Sequence, residues 1–189
     1  MVGIELKGEG VGDLAGYSDV SIAFRVSRVL VPAPELGPLA FRESWAESAR
    51  WKDYDAEPGC HPTSWPEQFD TSSWRVISAW RGSERVGGIA LIQGASGIDM
   101  LEGREDLALI WDLRVSPELR GEGIGSALIR AAEHWAKSRA CTELKVETQN
   151  INVEACGFYE RSGFELRAVD PTAYPGLDEI QMLWYRKIG

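Results

Sequence analysis

The stretch that most restricts how this chain can fold runs from Leu107 to Ser138. Residues 107–116 form an apolar run suited to a buried strand, and Ser116-Pro117-Glu118 stops it. Gly121, Gly123 and Gly125 follow at every second position. Ile124, Leu128, Ala131, Ala132 and Trp135 then recur at helical spacing, which predicts a helix from about Gly123 to about Ser138. A strand, a glycine loop and a helix in that order bare the N–H groups of the first helical turn, at the positive end of its dipole. Such an end binds a phosphate or pyrophosphate, and Arg120 would add a fixed positive charge.

The kind of phosphate ligand follows from the spacing. No Lys comes after the last glycine, which argues against a nucleotide-hydrolysing P-loop. The spacing G-x-G-x-G also departs from the dinucleotide pattern G-x-G-x-x-G, although Glu143 lies roughly where a ribose-binding acid would stand. At 189 residues the chain suits one domain, and its 44% apolar and 26% charged residues are ordinary for a soluble protein. No apolar run approaches the length of a membrane span, and residues 1–10 lack a basic region followed by an apolar one. With three scattered cysteines, two histidines and no Cys-x-x-Cys, the expectation is a cytoplasmic protein with reduced thiols and no metal. A net charge of −9 argues against a nucleic-acid partner and is compatible with a cationic substrate.

Along the chain, Ile4–Lys7 reads as an edge strand and residues 20–31 as a β-branched strand ended by Pro32 and Pro34. Residues 39–43 would pair with it as a hairpin. Residues 45–70 read as a long loop rich in aromatics and acids, either lining a pocket for a cation or packing a satellite cluster. Residues 74–81 and 86–93 form a second hairpin around Gly82–Arg85. Residues 94–106 are a loop with one helical turn, and residues 142–148 a strand. A helix spans Asn152–Arg161 with Gly163 as its left-handed cap, and strands at 164–169 and 179–187 close the chain. Hairpins followed by strand, helix, strand, helix, strand give a mixed α/β sheet, antiparallel at the front with parallel crossovers later.

A second motif lies in residues 147–164. Asn152, Cys156 and Tyr159 share one helix face. An Asn amide can bond other amides, and a Tyr hydroxyl can donate a proton to a departing thiolate. Cys156 reads as a small buried filler. Arg120-x-x-Gly123-x-Gly125 after a strand, followed by Asn152-x-x-Ala155-x-x-x-Tyr159 and then Gly163-Phe164, resembles the GNAT superfamily of N-acetyltransferases. Trp74 to Ile188 looks most like the streptothricin (nourseothricin) acetyltransferases within it. Residues 147–153, 168–174 and 178–185 carry that likeness, with fainter support from residues 24–26, 41–43 and 52–54.

The resemblance implies an α/β (α+β) GNAT fold. Its central mixed, mostly antiparallel sheet has about seven strands, with flanking helices and a splay between the fourth and fifth core strands. It implies a single domain, residues 1–189, with a divergent substrate-side front (1–73) and an acetyl-CoA-binding core (74–189). The activity implied is acetyl transfer from acetyl-CoA to a primary amine of a small, cationic molecule in a ternary complex, with a streptothricin-like antibiotic among the candidates. A protein lysine or N-terminal acetyltransferase, and a non-catalytic acyl-CoA-binding sensor, are the alternatives. Monomer and homodimer are both compatible. Leu113 and Val115 would pair with the pantetheine arm, and Arg120, Gly121, Gly123, Gly125 and Ser126 would hold the pyrophosphate. Asn152 and Tyr159 would touch the arm and the sulfur. Many relatives carry a Glu where Leu109 stands here, so the base falls to Glu147 or Asp112. Asp53, Tyr54 and Tyr174 are the expected substrate contacts from loops.

Overall fold

The structure is a computed structural model that describes residues 3–189. Among the described residues nine strands run in chain order: β1 (Ile4–Glu9), β2 (Phe24–Pro32), β3 (Phe41–Lys52), β4 (Arg75–Arg81), β5 (Glu84–Ile92), β6 (Leu107–Val115), β7 (Glu143–Gln149), β8 (Glu165–Asp170) and β9 (Gln181–Lys187). The α-helices are α1 (Leu14–Ser18), α2 (Trp65–Gln68), α3 (Ile124–Ser138) and α4 (Val153–Arg161). Seven strands hydrogen-bond in the order β1-β4-β5-β6-β7-β9-β8, and β2 pairs with β3 alone. The β1–β4, β4–β5, β5–β6 and β8–β9 pairs are antiparallel. This is the mixed, mostly antiparallel sheet with flanking helices that the sequence implies.

The described residues divide into two compact units, one of residues 3–23, 53–144 and 188–189, the other of 24–52 and 145–187. In the first unit, β4 and β5 meet across a two-residue loop, since Arg81 pairs with Glu84. This is tighter than the four residues expected. Tyr17 of α1 lies flat against Gly88 of β5, where a Cβ would come within 2.4 Å of its ring. Only a glycine admits that approach. On the other face Ile124 and Leu128 of α3 pack against Gly87.

The pairing of β5 with β6 shifts between Ala90 and Leu91, whose partners are Asp112 and Ile110. Trp111 is therefore an extra residue, and the bulge changes which side chains point where. Leu109 and Trp111 pack in an aromatic layer with Tyr17, Trp65, Phe69 and Trp74. Past the bulge, Asp112 and Arg114 reach Tyr17 of the same layer. The layer is closely stacked, with ring centroids 5.3 Å apart for Trp74–Trp111 and 5.2 Å for Phe69–Trp111.

In the second unit, Asn150 ties the hairpin to β9. Its Nδ2 donates to the Leu30 carbonyl at 2.9 Å, and its Oδ1 accepts from the Ile180 N–H at 2.8 Å. β3 extends through Lys52, which corrects the reading of residues 45–70 as one loop. Most of its residues are exposed, so it lacks the alternation that marks a strand, and pairing with β2 supplies its order. The rest of that segment holds short turns and α2, with Trp65 only 2% exposed while Trp45 and Trp51 stand 79% and 70% exposed. Trp65 and Phe69 thus belong to a packed cluster, and Trp45 and Trp51 do not.

Candidate active site

The glycine loop has the form its sequence predicts. Gly121 and Gly123 take φ of 88° and 86°, a left-handed backbone that disfavours any side chain, and nothing lies within 4 Å of where a Cβ would stand. Gly123 caps α3 and no side chain occupies the cap. The first intrahelical bond runs from the Ala127 N–H to the Gly123 carbonyl at 3.0 Å. The N–H groups of Gly123, Ile124, Gly125 and Ser126 therefore have no acceptor within the helix. This 15-residue helix offers a bare, open end of the kind that fits a pyrophosphate.

Arg120 plays a second part beside the charge expected of it. Its Nε donates to the Val115 carbonyl at 3.1 Å, and a terminal nitrogen donates to the Ala23 carbonyl at 3.0 Å. It thereby clips the loop to the end of β6. The Val115 carbonyl is thus engaged within the chain, and its N–H is not part of this clip. Leu113 pairs with Ile89 across β5.

The two candidate bases sit in different surroundings. Asp112 is bound twice by Arg114, at 2.9 Å from Nε and 2.8 Å from a terminal nitrogen, and accepts the Tyr17 hydroxyl at 2.5 Å. Arg114 also holds Asp55 through two bonds, at 2.8 and 3.0 Å, and its side chain is fully buried. Burial opposes its charge, but the two carboxylates outweigh that and hold the guanidinium firmly protonated. Burial and the neighbouring Asp112 carboxylate push the Tyr17 phenol well above its ordinary range, so it stays a donor. Both Asp112 oxygens are thus engaged, by a buried cation and a phenol.

Glu147 is half-buried on β7 and accepts on both oxygens, from the Tyr174 hydroxyl and from Gln181 Nε2 at 2.6 Å. The structure thus joins Tyr174, expected at the substrate, directly to the second candidate base. Gln181 was not singled out by the sequence, and a part-buried polar position at a strand start carries no signal of such a role.

On α4, Asn152 is the N-cap and its Oδ1 accepts the Ala155 N–H at 3.2 Å, which engages the oxygen and not the amide donors. Tyr159 is 5% exposed between Phe158 and Phe164, whose ring centroids are 5.2 and 5.3 Å away. The Cys156 thiol lies 3.2 Å from Thr148 Oγ1, and burial pushes it up to about 11. It is a neutral filler rather than a nucleophile. In the front segment, Asp53 caps a short turn by accepting the Asp55 N–H at 3.1 Å, and Tyr54 begins that turn. The turn presents Asp55 to Arg114. No described helix is long and apolar enough to cross a membrane.

A glycine-looped helix start after a bulged strand, followed by the Asn-capped helix, has its match among known proteins. The acetyltransferase (GNAT) family matches residues 39–164, and the chain belongs to that family. Among individual relatives, it is 39% identical over 172 residues to streptothricin acetyltransferase of Streptomyces lavendulae, covering 91% of this chain and 87% of that one. It is 42% identical over 83 residues to streptothricin acetyltransferase A of Bacillus subtilis (strain 168), covering 42% of this chain. That match spans about half (48%) of the relative's length. The fold is that of a crystal structure of nourseothricin acetyltransferase, with a TM-score of 0.75, 22% identity and coverage of 98% and 99% of the two chains. A Bacillus anthracis str. Ames protein solved in complex with acetyl coenzyme A superposes with a TM-score of 0.76 at 23% identity, over 100% and 99% of the chains.

Proposed function

We propose that this chain is an N-acetyltransferase that moves an acetyl group from acetyl-CoA to a primary amine of a small cationic molecule, with streptothricin-type compounds the first acceptors to test. The observation that carries the reading is the uncapped start of α3 behind two left-handed glycines. The GNAT match and the streptothricin acetyltransferase relatives supply the chemistry.

In this reading the N–H groups of Gly121, Gly123, Gly125 and Ser126 bind the pyrophosphate of acetyl-CoA, with Arg120 holding the loop and adding charge. Backbone groups of Leu113 and Val115 meet the pantetheine arm, Val115 through its N–H, and Asn152 contributes amide donors. The amine nitrogen attacks the thioester carbonyl carbon, the C–S bond breaks, and the departing sulfur takes a proton from Tyr159. Glu147 takes the proton that the amine gives up, directly or through one water. Asp53, Tyr54 and Tyr174 remain the proposed acceptor-side residues, Tyr174 now through Glu147.

Release of CoA in the presence of acetyl-CoA tests this across streptothricin-type compounds, aminoglycosides, polyamines and lysine-containing peptides. Turnover with a small cationic amine is the expected result. Turnover confined to peptides would reassign the chain to protein acetylation. Acetyl-CoA binding without turnover on any amine would make it a sensor and overturn the proposal.

A further inference from the structure

We infer that Gln181 is a positioning residue for acetyl transfer, acting with Tyr174 through Glu147. The inference rests on the proposed role of Glu147. The last torsion of a glutamate is broad, so an unsupported carboxylate swings through many orientations. Here two donors from different segments hold it. Tyr174, in the loop between β8 and β9, donates to Oε1, and Gln181, the first residue of β9, donates to Oε2 at 2.6 Å. One donor would leave the carboxylate free to rotate about that bond. Two donors, one on each oxygen, fix its plane.

The fixed plane leaves one lone pair on each oxygen, directed away from both donors. Those lone pairs are what an incoming ammonium or a relay water would meet. A base must come within about 2.6–3.2 Å of its proton, and a misplacement of about 1 Å costs on the order of a hundredfold. The supports of Gln181 are local: it starts β9 and pairs with Asp170 of β8. The neighbouring Ile180 N–H is bound by the Asn150 side chain at 2.8 Å. The backbone that carries the donor is therefore tied on both sides, as a group that aims another group requires.

The test is a double-mutant cycle on Glu147→Gln and Gln181→Met, with Gln181→Met keeping side-chain length and losing the donor. Gln181→Met should lower kcat about tenfold and leave the KM for acetyl-CoA within about twofold. In the Glu147→Gln background the same change should alter kcat by less than about twofold, because its route to the reaction is already cut. Tyr174→Phe removes the hydroxyl that donates to the other oxygen and should show the same loss and the same non-additivity. It serves if Gln181→Met fails to fold. Losses that simply multiply would make both residues structural and overturn the inference. Wild-type turnover in Glu147→Gln would remove the proposed role of Glu147 and the inference with it. A slow Glu147→Gln beside a fully active Gln181→Met and Tyr174→Phe would overturn the inference alone.

Discussion

Asp112 on β6 and Glu147 on β7 are both acidic side chains near the middle of the sheet order, and the sequence offers both as the base. Their surroundings separate them. Asp112 faces a fully buried guanidinium that it shares with Asp55, and it accepts a phenol besides. Glu147 is half-buried and held by a phenol and an amide. A buried carboxylate locked to a cation is committed to the fold, since releasing either partner strands a charge. A carboxylate aimed by neutral donors keeps part of its accepting capacity for another molecule. Partner type, rather than residue type, sorts the two.

The largest effect that would break this contrast is on the Asp112 side. Arg114→Met leaves Asp112 and Asp55 without their cation, and should cost about 3–5 kcal/mol of unfolding free energy in a urea titration. A loss below about 1 kcal/mol would show the pair to be no scaffold. Tyr159→Phe tests the partner proton donor. It should lower kcat about ten- to a thousandfold when chemistry limits the rate, with less change in the KM for acetyl-CoA. Unchanged turnover would make Tyr159 a wall.

The next effect depends on pH. The Cys156 thiol is raised to about 11 in the folded chain, because burial disfavours the thiolate. The folded state therefore holds its proton where the unfolded state has lost it. Its contribution is complete below the unfolded thiol value and fades as pH rises from there through about 11. Unfolding free energy should fall by on the order of 2 kcal/mol across that window, and Cys156→Ala should flatten the slope there. Equal slopes in both proteins would contradict the assignment. The smallest effect belongs to the hairpin, where Trp45→Ala should shift stability by no more than about 0.5 kcal/mol, given its exposure. A larger shift measured in the same titration would mean that this strand is packed in solution.

Much of this architecture is legible in the sequence because its signals are local. The strand, glycine loop and helix of 107–138, the β4–β5 hairpin and α4 with its Asn152 cap and Gly163 end each follow from periodicity and turn chemistry. The extension of β3 beyond residue 43 escapes because its faces are almost equally exposed, and α1 because five residues carry too little pattern. The networks escape for a different reason. Tyr17, Asp55 and Arg114 come from three distant segments, and Glu147 lies 27 and 34 residues before Tyr174 and Gln181. No spacing rule joins them, and only the folded chain shows which acid meets the guanidinium.

The central claim is that Asp112 serves the fold and Glu147 the reaction, and one paired measurement tests it most directly. Asp112→Asn and Glu147→Gln are each compared with the parent chain for unfolding free energy and for single-turnover acetyl transfer at saturating acetyl-CoA. The account predicts that Asp112→Asn loses about 2–4 kcal/mol of stability, while its folded fraction transfers within about fivefold of the parent rate. It predicts that Glu147→Gln keeps its stability within about 1 kcal/mol and transfers about a hundredfold more slowly. The reverse pattern, with Asp112→Asn stable but slow and Glu147→Gln unstable but active, would contradict it.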